Sequence, residues 1–162
     1  MFRRTLLLAI AWLGCGPTGQ VVPPTPDSGA MTVTDAGPTA PLLELGTGSQ
    51  SFEPLTDGQG LTIIAGPQGG FHLWAAARVS PPMNPMLISF RVKVKLGANE
   101  LSSTDYKVNA VKNGAYSEWY AMTALVPDPA EVRGKSTTIE LTATDSTGRT
   151  ATDSRTVVPS GP

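Results

Sequence analysis

Residue types that carry catalytic or metal-binding chemistry are scarce in this chain. Its 162 residues include one histidine, His72, and one cysteine, Cys15. A single histidine cannot build a multi-histidine metal site. A Ser-His-Asp arrangement stays open because serines and aspartates are plentiful, but no serine lies in a Gly-x-Ser-x-Gly segment. We therefore expect His72 to be a strand residue that packs beside Trp74.

Two carboxylates, Asp145 and Asp153, are the remaining candidates for a cation site. They flank a predicted hairpin, where extracellular β domains often place calcium ligands. Ca²⁺ takes about six to eight oxygen ligands, several of them anionic. Two aspartates with serine and threonine between them provide too few such oxygens. We predict no metal site and no cofactor.

Aromatic residues are better candidates for a function than ionisable ones. In the predicted strand Phe71–Val79, a second row of residues alternates with the apolar row, so Trp74 shares a face with His72 and Arg78. An outward aromatic side chain beside two hydrogen-bonding groups suits a planar or sugar-like ligand, or an anchor point for a protein. Trp74, His72 and Arg78 form the predicted binding surface.

Two alternatives accompany this prediction. If the row of Trp74 faces inward instead, His72 and Arg78 are buried and need partners. Trp119 and Tyr120 are further recognition candidates. Because adjacent residues of a strand point to opposite faces, one of these two aromatics is expected in the core.

The elements that must position these residues are strands, because apolar and polar residues alternate nearly everywhere after residue 42. The clearest strand runs from Ile88 to Leu96. The residues expected to face a core are Ile88, Phe90, Val92 and Val94. Arg91 lies in the alternate row, which is expected to face water.

Turn residues predict a hairpin in the middle of the folded part. The pair Asn113-Gly114 readily adopts the positive φ values of a type I′ turn. It is predicted to join a strand at Asp105–Val111 to one at Tyr116–Leu125. A further short strand is predicted at Leu61–Ala65.

The last predicted hairpin pairs Thr137–Thr144 with Thr150–Val158. Its sequence, IELTATDSTGRTATDSRTVVP, resembles the end of bacterial immunoglobulin-like domains, in which an Asp-x-x-Gly turn joins the last two strands. Seven or eight short strands with frequent turns favour a two-sheet sandwich. The resemblance implies the same architecture, and we predict a single all-β, immunoglobulin-like antiparallel β-sandwich over residues 42–162.

The N-terminus has the pattern of a secretory signal peptide, with a positive head (FRR), the apolar run LLLAIAWL and then Gly14-Cys15. This run is too short to span a bilayer, which takes about 20 residues. A cysteine beside a small residue resembles the lipobox of bacterial lipoproteins, in which the thiol receives a diacylglycerol before the signal is cut. Gly14 fits that pattern, whereas Trp12 stands where leucine is usual. The resemblance implies a lipoprotein signal peptide at residues 1–14 and lipid attachment at Cys15.

Residues 15–41 hold the lipidated cysteine and a linker rich in proline, glycine and threonine. From Gly16 to Pro41 there are six prolines, two aspartates and no aromatic residue. Such a segment buries too little apolar surface to offset its conformational entropy, so we expect a disordered tether.

These features favour a membrane-anchored lipoprotein of the cell envelope, whose domain is a non-catalytic binding or structural module. An ordinary signal peptide would instead release a secreted, soluble β-sandwich domain, and an enzyme with an unrecognised site is a third alternative. The expected partners are the membrane, through lipidated Cys15, and an envelope protein or a glycan. With 12 basic and 13 acidic residues, the chain lacks the basic excess of a nucleic-acid-binding protein. Gly16, directly after Cys15, favours the outer membrane.

Overall fold

The computed structural model describes residues 42–67 and 69–162. The predicted signal peptide, Cys15 and the linker lie outside the described residues, so they stay predictions. The described elements, in chain order, are β1 (Leu43–Thr47), β2 (Glu53–Pro54), β3 (Gln59–Thr62), β4 (Ile64–Ala65), β5 (Phe71–Val79), β6 (Ile88–Leu96), β7 (Asn99–Val108), β8 (Val111–Asn113), β9 (Tyr116–Val126), α1 (Pro129–Val132), β10 (Thr137–Thr144) and β11 (Thr150–Ser160).

The strands form two sheets packed face to face. Sheet A has the strand order β2-β1-β5-β9-β8, with β4 also paired to β5, and sheet B has the order β3-β11-β10-β6-β7. Neighbouring strands are antiparallel except β11 and β3, which are parallel. The prediction of an all-β antiparallel sandwich is therefore confirmed. The described residues form eleven strands rather than seven or eight, and three of these have only two or three residues.

The core lies between the sheets, and β6 contributes to it as the alternation predicted. Its inward residues, Ile88, Phe90, Val92 and Val94, are each at most 1% exposed. On the outer face, Arg91 Nε lies 2.7 Å from Asp105 Oδ1, and Lys93 Nζ lies 2.7 Å from Glu100 Oε2. The register predicted for this strand is confirmed.

Two predicted strands are each divided between the sheets. The predicted strand Leu61–Ala65 begins in sheet B as part of β3 and ends in sheet A as β4, with buried Ile63 at the crossing. Similarly, the predicted strand Asp105–Val111 contains the end of β7 in sheet B and the start of β8 in sheet A, with buried Ala110 between them. The alternation of apolar residues continues through both crossings, so it does not mark them.

β9 contains a β-bulge that matters for the site. Met122 pairs with Ala75 and Trp119 pairs with Ala77, so Tyr120 and Ala121 together oppose a single residue of β5. An extra residue shifts the alternation by one position. As a result, Trp119 and Met122 both pack against the core although they are three residues apart.

The helix α1 is a single turn. Asp128 caps it by accepting the N–H of Ala130 at 2.8 Å, and Pro129 fills the first helical position, where a missing N–H costs nothing. None of the helical structure in the described ranges is long and apolar enough to cross a membrane.

Candidate binding site

The predicted surface of Trp74, His72 and Arg78 lies on the outer face of sheet A, but much of it is covered. His72 is 7% exposed, and Ala76 between Trp74 and Arg78 is fully buried. Trp74 and Arg78 are half-buried. The expectation that this row faces water is therefore wrong for His72 and Ala76, and only partly right for the other two.

A crossing segment, Gly48–Phe52, is the physical reason that Ala76 is covered, whereas His72 lies beside β4, opposite Ile64. β1 and β9 lie on opposite sides of β5, yet the carbonyl of Gly48 accepts the N–H of Ala121 on β9 at 3.1 Å. The chain after β1 must therefore pass over β5, above the small side chain of Ala76. A methyl group at Gly46 would lie 2.5 Å from the Phe52 ring, so glycine is required there for this close approach.

Arg78 is held in place beneath this segment. Its guanidinium lies 2.9 Å from Glu118 Oε1 and 3.5 Å from Glu44 Oε2. The same group lies 4.1 Å from the ring centroid of Phe52 and 4.9 Å from that of Tyr116, distances at which cation–π attraction operates. These contacts engage the guanidinium of Arg78 within the domain, and its predicted role beside Trp74 stays a prediction.

His72 packs beside Trp74, as predicted. Their ring centroids are 4.4 Å apart in an edge-to-face arrangement. Nε2 of His72 is buried without a hydrogen-bond partner in the described part of the chain, and burial lowers the pKa of the imidazole. Among residues 42–67 and 69–162, no carboxylate or hydroxyl partner of a Ser-His-Asp triad contacts the imidazole, which fits a packing role.

Part of the outer edge of β9 has no neighbouring strand or side chain bonded to its backbone among the described elements beside it. β8 pairs with β9 only as far as Glu118. Further along β9, side chains of β7 form hydrogen bonds with its backbone. Tyr106 Oη accepts the N–H of Thr123 at 2.7 Å, and Ser102 Oγ donates to the carbonyl of Leu125 at 2.6 Å. The gap between these two covered stretches contains Trp119, Tyr120 and Ala121.

A groove of about 270 Å³ lies in this gap, and we call it the bulge groove. It is lined by Val111, Glu118, Trp119, Tyr120 and Ala121. Val111 is 61% exposed and Tyr120 is 38% exposed, whereas Trp119 is half-buried against the core. Within the described residues, neither Nε1 of Trp119 nor Oη of Tyr120 has a hydrogen-bond partner, so both polar atoms are available to a ligand.

Of the aromatic pair that the sequence singled out, Trp119 is thus the one that packs against the core and Tyr120 the one that faces out. Strict alternation along a strand would place their side chains on opposite faces of a sheet, so the sequence pattern does not predict a shared site. Because of the bulge and the end of β8 at Val111, Trp119 and Tyr120 line the same groove. The sequence of β9 does not predict the bulge. Glycine and asparagine are the residues that commonly adopt a positive φ, and the residue at the bulge is Ala121.

Ala121 adopts φ = 59°, a left-handed conformation that alanine disfavours. We expect Ala121→Gly to raise the free energy of unfolding by about 0.5–1 kcal/mol, because glycine adopts this φ without steric cost. Urea unfolding of the two proteins checks this. Ala124→Gly, at a buried position of the same strand, is the control and should destabilise the domain. A destabilising effect of Ala121→Gly would contradict the bulge conformation.

Asp145 holds together one end of the sandwich. Its carboxylate accepts the backbone N–H of Asn84 at 3.0 Å, the hydroxyl of Thr147 at 2.6 Å and the backbone N–H of Arg149 at 3.0 Å. These donors lower the pKa of Asp145, with the bond from Asn84 first among the causes. Asp153 accepts the N–H of Leu45 at 2.8 Å. Both carboxylates of the calcium alternative thus serve contacts within the chain, and no cluster of metal ligands is found in residues 42–67 and 69–162.

The domain should lose stability as the pH falls. The pKa of Asp145 is depressed in the folded state, so its contribution is present above the ordinary carboxylate pKa and is lost below it. Protonation of buried His72 acts in the same direction at a higher pH, because its pKa is also depressed. We expect Asp145→Asn to destabilise the domain at about pH 7 and to flatten its acid dependence below about pH 4.

Urea midpoints measured across this pH range check the prediction. Asp128→Asn is the matched control, because asparagine caps a helix as well as aspartate does. An acid dependence of Asp145→Asn as steep as that of the unmodified protein would show that Asp145 is not the responsible group.

Comparisons with known proteins do not show a family or a function for this chain. No protein-family model matches the chain, and no curated protein matches it. Among solved structures, it is similar to the CooA pilin subunit from enterotoxigenic Escherichia coli, with 12% sequence identity and a TM-score of 0.32, over 75% of this chain and 99% of that chain. A likeness at this level assigns no function.

Proposed function

We propose that the protein is a lipoprotein of the cell envelope, anchored through Cys15, and that its sandwich is a non-catalytic binding module. The anchor rests on the signal pattern and the Gly14-Cys15 pair. The observation that carries the binding role is the bulge groove, where Trp119 and Tyr120 present two polar atoms that have no partner in the described part of the chain, beside apolar side chains. Ligand sites typically combine apolar lining with a few polar groups in this way.

The ionisable groups nearest to the groove favour binding over catalysis. Glu118 is buried, and its two carboxylate oxygens are engaged by Arg78 and by the side-chain amide of Asn113, at 2.9 Å each. Because both oxygens are used by these contacts within the domain, Glu118 serves the structure of the strand edge. His72 lies on β5, opposite Leu125, away from the groove.

The groove suits a small recognition element of a partner. A single sugar ring or one apolar side chain fits a volume of about 270 Å³. An indole N–H can donate to a hydroxyl or carbonyl oxygen, and a phenol can donate or accept. The expected partner is therefore an envelope protein or a glycan, presented to a domain held at the membrane, with the outer membrane favoured by Gly16.

Trp74 remains a second candidate for recognition. It is half-buried next to His72 and lies opposite Thr123 on β9, at the part of the outer face that the crossing segment leaves open. Leu125, 43% exposed, lies on the same part of the face. An aromatic ring beside an exposed leucine can anchor a partner, although Arg78 does not join it.

Affinity capture from membranes with three variants separates the two candidates. Tyr120→Ala should reduce capture of the partner by at least about tenfold, as loss of an interface anchor does, with little effect on stability because Tyr120 is partly exposed. Trp74→Ala and Leu125→Ala alter the second candidate instead, and they should leave capture unchanged if the bulge groove is the site. Treating the membranes with a protease or a glycosidase before capture distinguishes a protein from a glycan.

A different set of outcomes would contradict the proposal that the bulge groove is the binding site. If Trp74→Ala abolishes capture while the domain stays folded, and Tyr120→Ala does not, the site is the open part of the outer face. If capture survives all three variants, neither candidate binds, and the enzyme alternative regains weight. A secreted, soluble form of the domain would show the same variant effects but would be captured without membranes.

A further inference from the structure

One end of the sandwich, which we call the entry end, is formed by loops 80–87, 109–115 and 145–149. The polypeptide joins the domain here, because the carbonyl of Leu42 accepts the N–H of Ser80 at 3.1 Å. The loops are tied to one another, since Ala110 donates its N–H to the carbonyl of Pro85 at 2.9 Å and Asn84 donates to Asp145. The entry end is thus one connected surface.

Exposed apolar side chains gather at the entry end. Met86 is 55% exposed, Leu87 is 56% exposed and Val111 is 61% exposed, and these are three of the five large apolar residues that are exposed in the described part of the chain. Leu87 adopts φ = 51°, which bulky residues disfavour, and its N–H is held by Asn109 Oδ1 at 2.8 Å. The backbone therefore keeps a leucine outside the core at a conformational cost, while the next residue, Ile88, is buried.

The exposed charge of the entry end is positive. Lys107 and Lys112 flank the connection between β7 and β8, and both are exposed with no salt bridge among the described residues. Arg149 is 40% exposed. It pairs with Asp145, the carboxylate in these loops, at 3.7 Å, so Lys107 and Lys112 are the cations of this end that no described carboxylate offsets. Glu118, which pairs with Val111, is buried against Arg78.

The opposite end of the sandwich has a different balance of acidic and basic residues. Its loops carry the acidic residues Asp57, Asp128 and Glu131, together with Arg133 and Lys135. At the opposite end the acidic residues outnumber the basic ones, whereas at the entry end basic residues outnumber acidic ones beside exposed apolar side chains. This combination matches a bilayer with anionic headgroups, which accepts both.

We propose that the entry end docks on an anionic lipid bilayer, with Met86 and Leu87 entering the headgroup region and Lys107 and Lys112 contacting lipid phosphates. The proposal rests on the proposed anchoring through Cys15 only in so far as the anchor brings this end to the membrane. Docking would hold the domain in one orientation, with the opposite end and its loops directed away from the lipid.

A single-cysteine probe tests the proposal in the lipidated full chain. Met86→Cys is labelled with a polarity-sensitive fluorophore, and Lys135→Cys at the opposite end is the matched control, since a lipidated Cys15 has no free thiol. The protein is reconstituted in vesicles of phosphatidylethanolamine with phosphatidylglycerol, or of phosphatidylcholine alone. We expect a blue shift at position 86 in the anionic vesicles that high salt reverses, and no shift at position 135.

Substitution of the lysines gives a second measurement. Lys107→Gln and Lys112→Gln should each weaken docking about fivefold, as removal of a cation from an anionic surface does. Equal shifts at both probe positions, or an equal shift at position 86 in phosphatidylcholine vesicles, would overturn the proposal. So would a water-exposed probe at position 86 in every vesicle.

Failure of the anchor is a separate result. Mass spectrometry of the same samples reports whether Cys15 carries lipid. If it does not, but the probe at position 86 still enters added anionic vesicles, docking is supported and the lipid anchor is overturned. If Cys15 is lipidated and the probe stays in water, docking is overturned and the anchor stands.

Discussion

Phe90→Ala should lower the free energy of unfolding by about 3–5 kcal/mol, the usual cost of removing a buried aromatic ring. Phe90 is 1% exposed and lies in the middle of β6, opposite Ala143 on β10 and Tyr106 on β7. The small side chain of Ala143 cannot fill the resulting cavity. Because domains of this size have a stability of about 5–15 kcal/mol, the variant should be close to unfolding at elevated temperature. Urea denaturation measures the loss.

Arg91→Ala is the matched control for this prediction, since it removes the next side chain of the same strand. Arg91 lies on the outer face, where its ion pair with Asp105 is more than half exposed on both sides. Exposed pairs of this kind contribute about 0–1 kcal/mol. Equal losses for Phe90→Ala and Arg91→Ala would mean that the two faces of β6 have been exchanged.

Cys15→Ser should abolish membrane anchoring. Serine has no thiol to receive a diacylglycerol, so the precursor is expected to stay unprocessed or to be misplaced. With acyl chains on Cys15, each buried methylene contributes about 0.8 kcal/mol, and two or more chains hold a protein on a membrane stably. Membrane fractionation followed by extraction with salt and with detergent measures the difference.

Trp12→Leu is the control for the anchor, because it introduces the residue that is usual at this place in the lipobox. It should be processed and anchored at least as well as the unmodified chain. An unmodified N-terminus beyond Cys15 in the mature protein, with membrane association unchanged by Cys15→Ser, would refute the lipoprotein proposal and leave a secreted domain.

The fold could be predicted where local chemistry decides it. The alternation in Ile88–Leu96 and the positions of the two hairpins depend on neighbouring residues alone, and both hairpins form where the turn residues place them. In the last turn, Gly148 has φ = 82°. In the other turn, Gly114 has φ = 62°, but Asn113 ends β8 without a positive φ, so the predicted type I′ turn is wrong although the hairpin forms. Such signals do not specify which sheet a strand joins, so the divided strands at Ile63 and Ala110 were not foreseen.

The site was harder to predict because distant segments create it. Nothing in the sequence of β5 shows that Gly48–Phe52 crosses above Ala76 or that β4 lies beside His72, so the alternation alone predicts that His72 and Arg78 are available beside Trp74. Likewise, the bulge at Tyr120 and Ala121 is stabilised by the carbonyl of Gly48, a residue more than seventy positions earlier in the chain. Residue types identified Trp119 and Tyr120 as candidates, but only tertiary contacts place them in one groove.

The most direct test of a membrane-anchored binding module is photo-crosslinking from the bulge groove in intact cells. A photoreactive phenylalanine analogue replaces Tyr120, and the same analogue at Lys135, an exposed position at the end of the domain opposite the entry end, is the control. The account predicts a discrete crosslinked species from position 120 in the membrane fraction, absent from position 135 and lost when Cys15→Ser removes the anchor. Crosslinking from position 120 that is no stronger than from position 135 would contradict it.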